Sequence, residues 1–422
     1  MKKHSIAFVG MTHLGLVSAV AASEKGYEVV CFDPDIKLIE VLQRSEPPIT
    51  EPLLIELMNK NQERLTFSCD PNKIRDCSIV YVSPDVSTDD FGQSDLSIIN
   101  HLLNIVFEHT AKRNLVVILS QVPPGFTRSL LHEERTLYYQ VETLIFGEAI
   151  NRALNPERYI IGCKDPTVPL PSLFEQFLGA YNCPILPMRY ESAELAKISI
   201  NMCLVASITT ANVLAEICEF TGADWSEITP ALKLDKRIGK NAYLSPGLGI
   251  SGGNLERDLA TIVNIAEQNQ VESTVVDSWI RNSKHRKNWI WNIFKRLDLD
   301  KKHDLRIAIL GLTYKENTDS LKNSPALLLI NNLIQHNVVA YDPMALREKI
   351  PKNIEFCDSM LKAIKGADVV VISTAWPEFR KLTSKILRAN MSGNVVIDPY
   401  GLLVENDINQ TKFSYYKLGK SM

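Results

Sequence analysis

A surplus of either charge is missing from this sequence: 46 Lys and Arg stand against 49 Asp and Glu, a net charge of −3 over 422 residues. Nothing in that balance would grip nucleic acid or an anionic membrane, although a local basic pocket for a phosphate stays open. Cysteine is sparse and scattered, at 31, 69, 77, 163, 183, 203, 218 and 357, with no Cys-x-x-Cys pair. A zinc site, or any metal site, is therefore not expected. In a chain of this length without an evident secretory signal, the thiols read as reduced core residues of a cytoplasmic protein. The opening Met1-Lys2-Lys3-His4 runs directly into a strand-like segment, without the apolar stretch and small-residue cleavage site of a signal. Apolar runs are read as falling short of the ~18 residues that suggest a membrane span. With 45% hydrophobic and 23% charged residues, the expectation is two or three ordinary globular domains.

What is present is alternation. Ser5-Ile6-Ala7-Phe8-Val9 reads as a buried strand, about Leu14 to Lys25 as a helix, and Glu28-Val29-Val30-Cys31-Phe32 as the next strand, closed by Asp33. Ile79–Val82 and Leu115–Leu119 follow the same plan. Continuous Val/Ile/Leu runs between helices indicate an α/β fold with a parallel sheet covered on both faces, the doubly wound arrangement. From Glu191 to about Phe220 the chain is free of Pro and Gly and has helical periodicity, about 30 residues or roughly 45 Å. The helical character continues to about Leu297, broken at Pro246-Gly247-Leu248-Gly249 and Gly252-Gly253. After a linker at Lys301–Asp304 the α/β pattern restarts at Arg306–Leu310, Val338–Tyr341, Val369–Ile372 and Val395–Ile397. The expected division is 1–189, 190–300 and 301–422: sheet domain, helical middle, sheet domain.

Between the first strand and the first helix lies Gly10-Met11-Thr12-His13-Leu14-Gly15. The dinucleotide fingerprint at that point is G-x-G-x-x-G, whose glycines permit a tight turn and let backbone N–H groups reach a pyrophosphate at the helix N-terminus. The first and third glycines are here, while Thr12 stands at the second and would crowd the pyrophosphate. Asp33, 23 residues after Gly10, is placed to bond the adenosine ribose hydroxyls and to disfavour a 2′-phosphate, which points to NAD over NADP. The competing reading is a doubly wound fold whose loop is only a tight turn.

Further segments carry a resemblance. Ile49-Thr50-Glu51-Pro52-Leu53 is similar to P-I-x-E-P-x-L, Ser94-Asp95-Leu96-Ser97 to A-D-L-S, and Glu194-Leu195-Ala196-Lys197 with Asn201 to E-L-x-K-x-x-x-N. Arg237-Ile238-Gly239 and Pro246–Gly249 precede a loop that resembles P-G-x-G-F-G-G-S-C-F-P-K-D. Gly311–Asp319 and Ser324-Pro325-Ala326 resemble G-x-x-F-K-x-x-T-D-D-x-R-x-S-P-A, and Tyr341-Asp342-Pro343 and Thr374–Phe379 fit as well. In order and spacing these resemble the UDP-glucose/GDP-mannose dehydrogenase family over essentially the whole chain. The resemblance implies a Rossmann-like NAD domain, a central helical domain carrying a homodimer interface, and a C-terminal Rossmann-like domain holding a nucleotide sugar. It places Gly10, Thr12, His13, Leu14, Gly15, Asp33, Gln121 and Lys315 at the cofactor. It places Arg237, Gly249, Tyr314 and Lys322 at the substrate, and Lys197, Asn201, Asp258, Glu142 and residue 254 at the chemistry.

That last position departs from the family. Members oxidise a sugar alcohol to a carboxylate in two hydride transfers, the second through a thioester on a cysteine. Here the loop reads Gly252-Gly253-Asn254-Leu255-Glu256-Arg257-Asp258, and a carboxamide forms no thioester. Lys197 and Asn201, four residues apart, project from one helix face. With Asp258 they would hold a water and stabilise alkoxide charge, while Glu142 corresponds to the glutamate that handles the hydrolytic water. Gln121 replaces an active-site threonine, Val141, Ile145 and Phe146 replace proline, arginine and glutamate, and Arg257 replaces lysine. Lys322 and Tyr400 stand for arginines, and Pro84-Asp85-Val86 replaces a G-T-P turn near the cofactor. Three readings follow: a two-electron or redox-cycling NAD-dependent oxidoreductase on a nucleotide-linked sugar, a conventional dehydrogenase working without the cysteine, and a non-catalytic binding relative. The retained Lys197, Asn201 and Asp258 favour the first over the last.

Overall fold

The computed structural model describes residues 5–87, 94–130, 135–352, 354–409 and 411–421; Met1–His4 fall outside them. The chain divides into two compact units, Met1–Ile200 and Asn201–Met422. The first is built on eight strands: β1 (Ser5–Val9), β2 (Glu28–Phe32), β3 (Leu65–Ser68), β4 (Ile79–Val82), β5 (Leu115–Ile118), β6 (Thr136–Gln140), β7 (Tyr159–Cys163) and β8 (Ile185–Arg189). Their order across the sheet is β3-β2-β1-β4-β5-β6-β7-β8. All neighbours run parallel except β6 and β7. Every residue of β4 and β5 is buried, as a sheet covered on both faces requires, and this is why those strands read as unbroken apolar runs. Chain order reverses between β1 and β4, so a crevice opens at the carboxyl ends of these two strands.

The first turn after β1 explains two of its glycines. A side chain on Gly15 would stand 1.9 Å from the Gly10 carbonyl oxygen, and Gly10 itself has φ +95°. Thr12 has φ −74° and ψ −170°, an extended conformation any residue adopts, so the backbone does not demand glycine there. The helix His13–Glu24 that follows is buried over nearly its whole circumference.

The second unit contains the helices Trp225–Leu234, Asn254–Gln268, Thr274–Lys287 and Trp289–Arg296, and a parallel sheet of six strands. These are β9 (Arg306–Leu310), β10 (Asn337–Tyr341), β11 (Glu355–Phe356), β12 (Val369–Ile372), β13 (Val395–Ile397) and β14 (Ser414–Tyr416). Their order, β11-β10-β9-β12-β13-β14, repeats the order of the first six strands. The fold is α/β with two Rossmann-like sheets and a helical region between them in sequence. One long helix, Tyr190–Thr221 of 32 residues, spans the division between the units. Within the second unit, Arg286 is fully buried, 3.0 Å from Glu216 and 3.8 Å from Glu219, and Trp289 Nε1 also donates to Glu219. These contacts tie the helices Thr274–Lys287 and Trp289–Arg296 to the long helix.

Two expectations need correction. The segment 198–215 of the long helix carries no charge, and the helix is long and apolar enough to cross a membrane by length and composition. Asn201 and Asn212 on it are nonetheless engaged within the second unit, with Asp258 and the Gly247 amide, and a third of the apolar window is buried. The reading of all eight cysteines as core also fails for Cys69 and Cys203, which are exposed. Cys69 lies just past the end of β3, and Cys203 is two residues, or about 200°, around the helix from Asn201.

Candidate active site and family

In the first unit the crevice between β1 and β4 is a cleft of about 390 Å³ lined by Gly10, Thr12, Asp33, Pro34, Pro84 and neighbouring residues of the helix Ser97–His109. Asp33 ends β2 at its rim and is nearly buried. Its carboxylate accepts the Met11 amide at 2.7 Å and the Asp35 amide at 3.0 Å. That arrangement fixes the glycine turn and sets the carboxylate at the rim of the cleft. Gly10, Thr12 and Asp33 line this cleft, Gly15 packs against the Gly10 carbonyl, and Leu14 lines another cavity with Phe8, Tyr81 and Glu142. The His13 side chain has another partner: its Nε2 is 2.8 Å from the buried Glu51, and its ring lies 4.2 Å from that of Phe146. Glu51 also accepts the amides of Gly147 and Ala149. It anchors the segment after β6, a role the P-I-x-E-P-x-L likeness did not disclose.

That segment carries Glu142, whose Oε1 is 2.6 Å from Lys197 Nζ on the long helix. Lys197 also donates to the Glu142 carbonyl at 3.2 Å. The turn after β5 that carries Gln121 is held from the same helix. Glu194, fully buried, accepts the amides of Gly125 at 2.6 Å and Thr127 at 2.8 Å. Burial pushes its carboxyl above the usual range, and the two amides pull in the opposite direction.

In the second unit Asn201, one helical turn beyond Lys197, donates its Nδ2–H to Asp258. Asp258 is fully buried and its other oxygen is 3.2 Å from Arg257 Nε. Both residues belong to the helix Asn254–Gln268, and Asn254 is the first residue of that helix and exposed. The approach to it is tightly made. A side chain on Gly252 (φ +99°) would stand 2.7 Å from the Tyr314 ring, and Gly252 N–H donates to the Lys322 carbonyl at 3.2 Å. A side chain on Gly253 would stand 3.6 Å from Lys322 Nζ. Gly249 is required by packing, since a side chain there would meet the Ser283 carbonyl at 2.5 Å. Position 254 therefore opens a helix, where a thiol would meet the amides of the first turn, but it holds a carboxamide.

Tyr314 is partly buried, which raises its phenol pKa, and Lys315 Nζ lies 5.9 Å from its ring centre. Tyr400 donates to the Ser373 carbonyl at 3.3 Å, and burial raises its phenol pKa too. Arg237 is not drawn into this group: its side chain is 89% exposed and its guanidinium forks onto Asp235, with Nη2 at 2.6 Å. Asp342, at the end of β10, was noted only as part of a motif. It accepts the amides of Leu312 and Thr313 and the Trp376 indole N–H. It secures the turn after β9 much as Asp33 secures the turn after β1, and the Asp-Pro pair at 33–34 and 342–343 was the available signal.

Three family models match in the order of these elements: the NAD binding domain of the UDP-glucose/GDP-mannose dehydrogenases over residues 4–177, their central domain over 191–284 and their UDP binding domain over 308–405. A UDP-glucose 6-dehydrogenase of Rickettsia conorii is 30% identical over 440 residues, covering 99% of this chain and all of the relative. The chain belongs to the UDP-glucose/GDP-mannose dehydrogenase family. Another relative, the UDP-glucose 6-dehydrogenase TuaD of Bacillus subtilis, is 30% identical over 100% of this chain and 94% of its own. Among solved structures, a UDP-glucose dehydrogenase from Pyrobaculum islandicum superimposes with a TM-score of 0.85 at 25% identity, covering 100% of this chain and 98% of that one. The protein is thus an NAD-dependent dehydrogenase of this family, with NAD as its cofactor.

Proposed function

We propose that the protein oxidises the free alcohol of a UDP-linked sugar by a single hydride transfer and releases a carbonyl product. The observation that carries this reading is Asn254, set at the helix position where a thiolate would be activated. NAD supplies the hydride acceptor. Lys197 and Asn201 stabilise the alkoxide as the carbinol hydrogen departs, Asp258 orients Asn201, and Glu142 receives the hydroxyl proton through water. A second oxidation needs an adduct on the aldehyde carbon, and the chain offers no thiol for it. No cysteine occurs between 219 and 356, Cys218 is buried, and Cys203 lies on the other side of the helix from Asn201.

The UDP part of the proposal is supported by the UDP binding domain at 308–405 and by the relatives' names. We assign 1–189 to the cofactor, 190–300 to dimerisation and 301–422 to the nucleotide sugar. Gln121 and Lys315 are assigned to the cofactor, and Gly249, Tyr314, Lys322 and Arg237 to the substrate, Arg237 acting across the dimer. A second copy of the chain is the proposed cover for Val213, Leu214, Ile217 and Phe220, a stripe of exposed apolar side chains on the long helix. The reading is tested by offering purified protein and NAD a panel of UDP-, GDP- and TDP-sugars and following absorbance at the NADH band. NADH formation with a UDP-sugar is expected; binding of UDP-sugars with no NADH from any of them would contradict it.

A further inference from the structure

Two departures from the dinucleotide pattern, Thr12 in the glycine loop and Asp85 in the turn after β4, meet in one contact. The Asp85 amide donates to Thr12 Oγ1 at 2.7 Å. The Asp85 carboxylate then reaches the start of the helix His13–Glu24, where its Oδ2 accepts the Leu14 amide at 3.3 Å. That amide is one of the unpaired donors of the first turn, the group a bound pyrophosphate engages in this fold. The turn is held down on both sides. Ser120 Oγ donates to the Pro84 carbonyl at 2.5 Å, and the Pro84 nitrogen lies 2.9 Å from where a side chain on Gly10 would begin. A carboxylate of the chain therefore sits on a first-turn amide of this helix, beside the cleft that Thr12 and Pro84 line, and the side chain in place of the second glycine helps to hold it there.

We infer that Asp85 is an internal substitute for the cofactor's pyrophosphate, so that dinucleotide binds only when the 84–86 turn lets go of the helix. The inference rests on the cleft being the NAD site. Its physical content is selective. An anion at the helix N-terminus repels another anion and withholds a charge-assisted hydrogen bond, but it leaves the Asp33 rim and the adenosine end unaltered. Ligands bearing a pyrophosphate are weakened; adenosine is not. If the turn is released about 1–10% of the time, apparent affinity for dinucleotide falls roughly ten- to a hundredfold below that of the open cleft. Asp85 is thereby a determinant of how tightly this chain holds its cofactor, and Thr12 acts through Asp85 more than through its own bulk.

The test is calorimetric titration of the full chain, wild type, Asp85→Asn and Thr12→Gly, with NAD, ADP-ribose and adenosine. Asp85 is exposed, so the substitution is not expected to disturb folding, and thermal unfolding of each variant checks this. Asp85→Asn keeps the shape and removes the charge. It is expected to tighten NAD and ADP-ribose by about ten- to a hundredfold, with adenosine changed by less than about twofold; Thr12→Gly should shift them in the same direction. Unchanged or weaker NAD binding in Asp85→Asn, with adenosine still bound, would overturn the role of Asp85 alone. Equal gains for adenosine and NAD would overturn it too, since the effect would then be a general loosening of the turn. Failure of all three proteins to bind any of the three ligands would overturn the cofactor cleft and this inference together.

Discussion

Removing the Asn201 side chain should expose how much the second unit depends on a single polar contact. Asp258 is fully buried and its two oxygens lie against Asn201 Nδ2 and Arg257 Nε, the latter at 3.2 Å. Asn201→Ala deletes one hydrogen bond to that charge and leaves its acceptor in a site with little access to water, a loss of about 1.5–3 kcal/mol. Asp258→Ala takes away the carboxylate that both Asn201 and Arg257 address, so its loss should be larger than that of Asn201→Ala. The double variant should lose less than the sum, because both changes dismantle the same contact. Urea unfolding followed by Trp fluorescence suits the question, since all five tryptophans, at 225, 279, 289, 291 and 376, lie in the second unit. A change below about 0.5 kcal/mol for Asn201→Ala, or strict additivity in the double variant, would refute the reasoning. Turnover separates roles: a kcat that falls further than the folded fraction indicates that Asn201 touches the reacting oxygen, whereas the two falling together leaves it architectural.

Three other outcomes follow from the same structure. Asp33→Asn should raise affinity for NADP relative to NAD by about tenfold, because the carboxylate opposing a 2′-phosphate is gone; an unchanged ratio by titration would remove Asp33 from the ribose site. Gly252→Ala forces a side chain to within 2.7 Å of the Tyr314 ring at φ +99°, so its urea midpoint should drop by the equivalent of about 1–3 kcal/mol, and a midpoint equal to wild type would show that the loop and Tyr314 shift freely. Ile217→Asp with Phe220→Asp should convert a dimer to a monomer in sedimentation velocity, and a wild type that is itself monomeric contradicts the proposed cover of that stripe.

Strands buried on both sides were the most legible part of this fold, although β7, buried throughout and carrying Gly162, did not stand out. β1, β2, β4, β5, β9, β10, β12 and β13 are runs of Val, Ile and Leu and announced themselves, as did the long helix ending at Thr221. β6, Thr136–Gln140, alternates buried and half-buried residues, and β11 has two residues; neither has enough apolar length to stand out. The site divides similarly. Gly10, Gly15, Asp33, Lys197, Asn201 and Asp258 could be placed because their motifs are local to a strand end or a helix turn. Glu51 with His13, Glu194 with the 125–127 turn, and Asp85 with Thr12 join positions 38 to 73 residues apart. Such pairs are set by the folded sheet, and their chemistry is invisible until it forms. Thr12 shows the consequence: read alone it is a bulky obstacle, whereas in the structure it is the acceptor that holds Asp85.

The proposed single oxidation rests on residue 254, and its most direct measurement is the ratio of NADH formed to UDP-sugar consumed at completion, with the product's mass determined on the same sample. One NADH per sugar and a product two mass units lighter than the substrate is the predicted result. Asn254→Cys should move the ratio toward two and the product toward the acid, provided Glu142 and Lys197 keep their 2.6 Å pairing. Two NADH per sugar with a carboxylate product from the wild-type chain would contradict the claim that Asn254 limits it to a single oxidation.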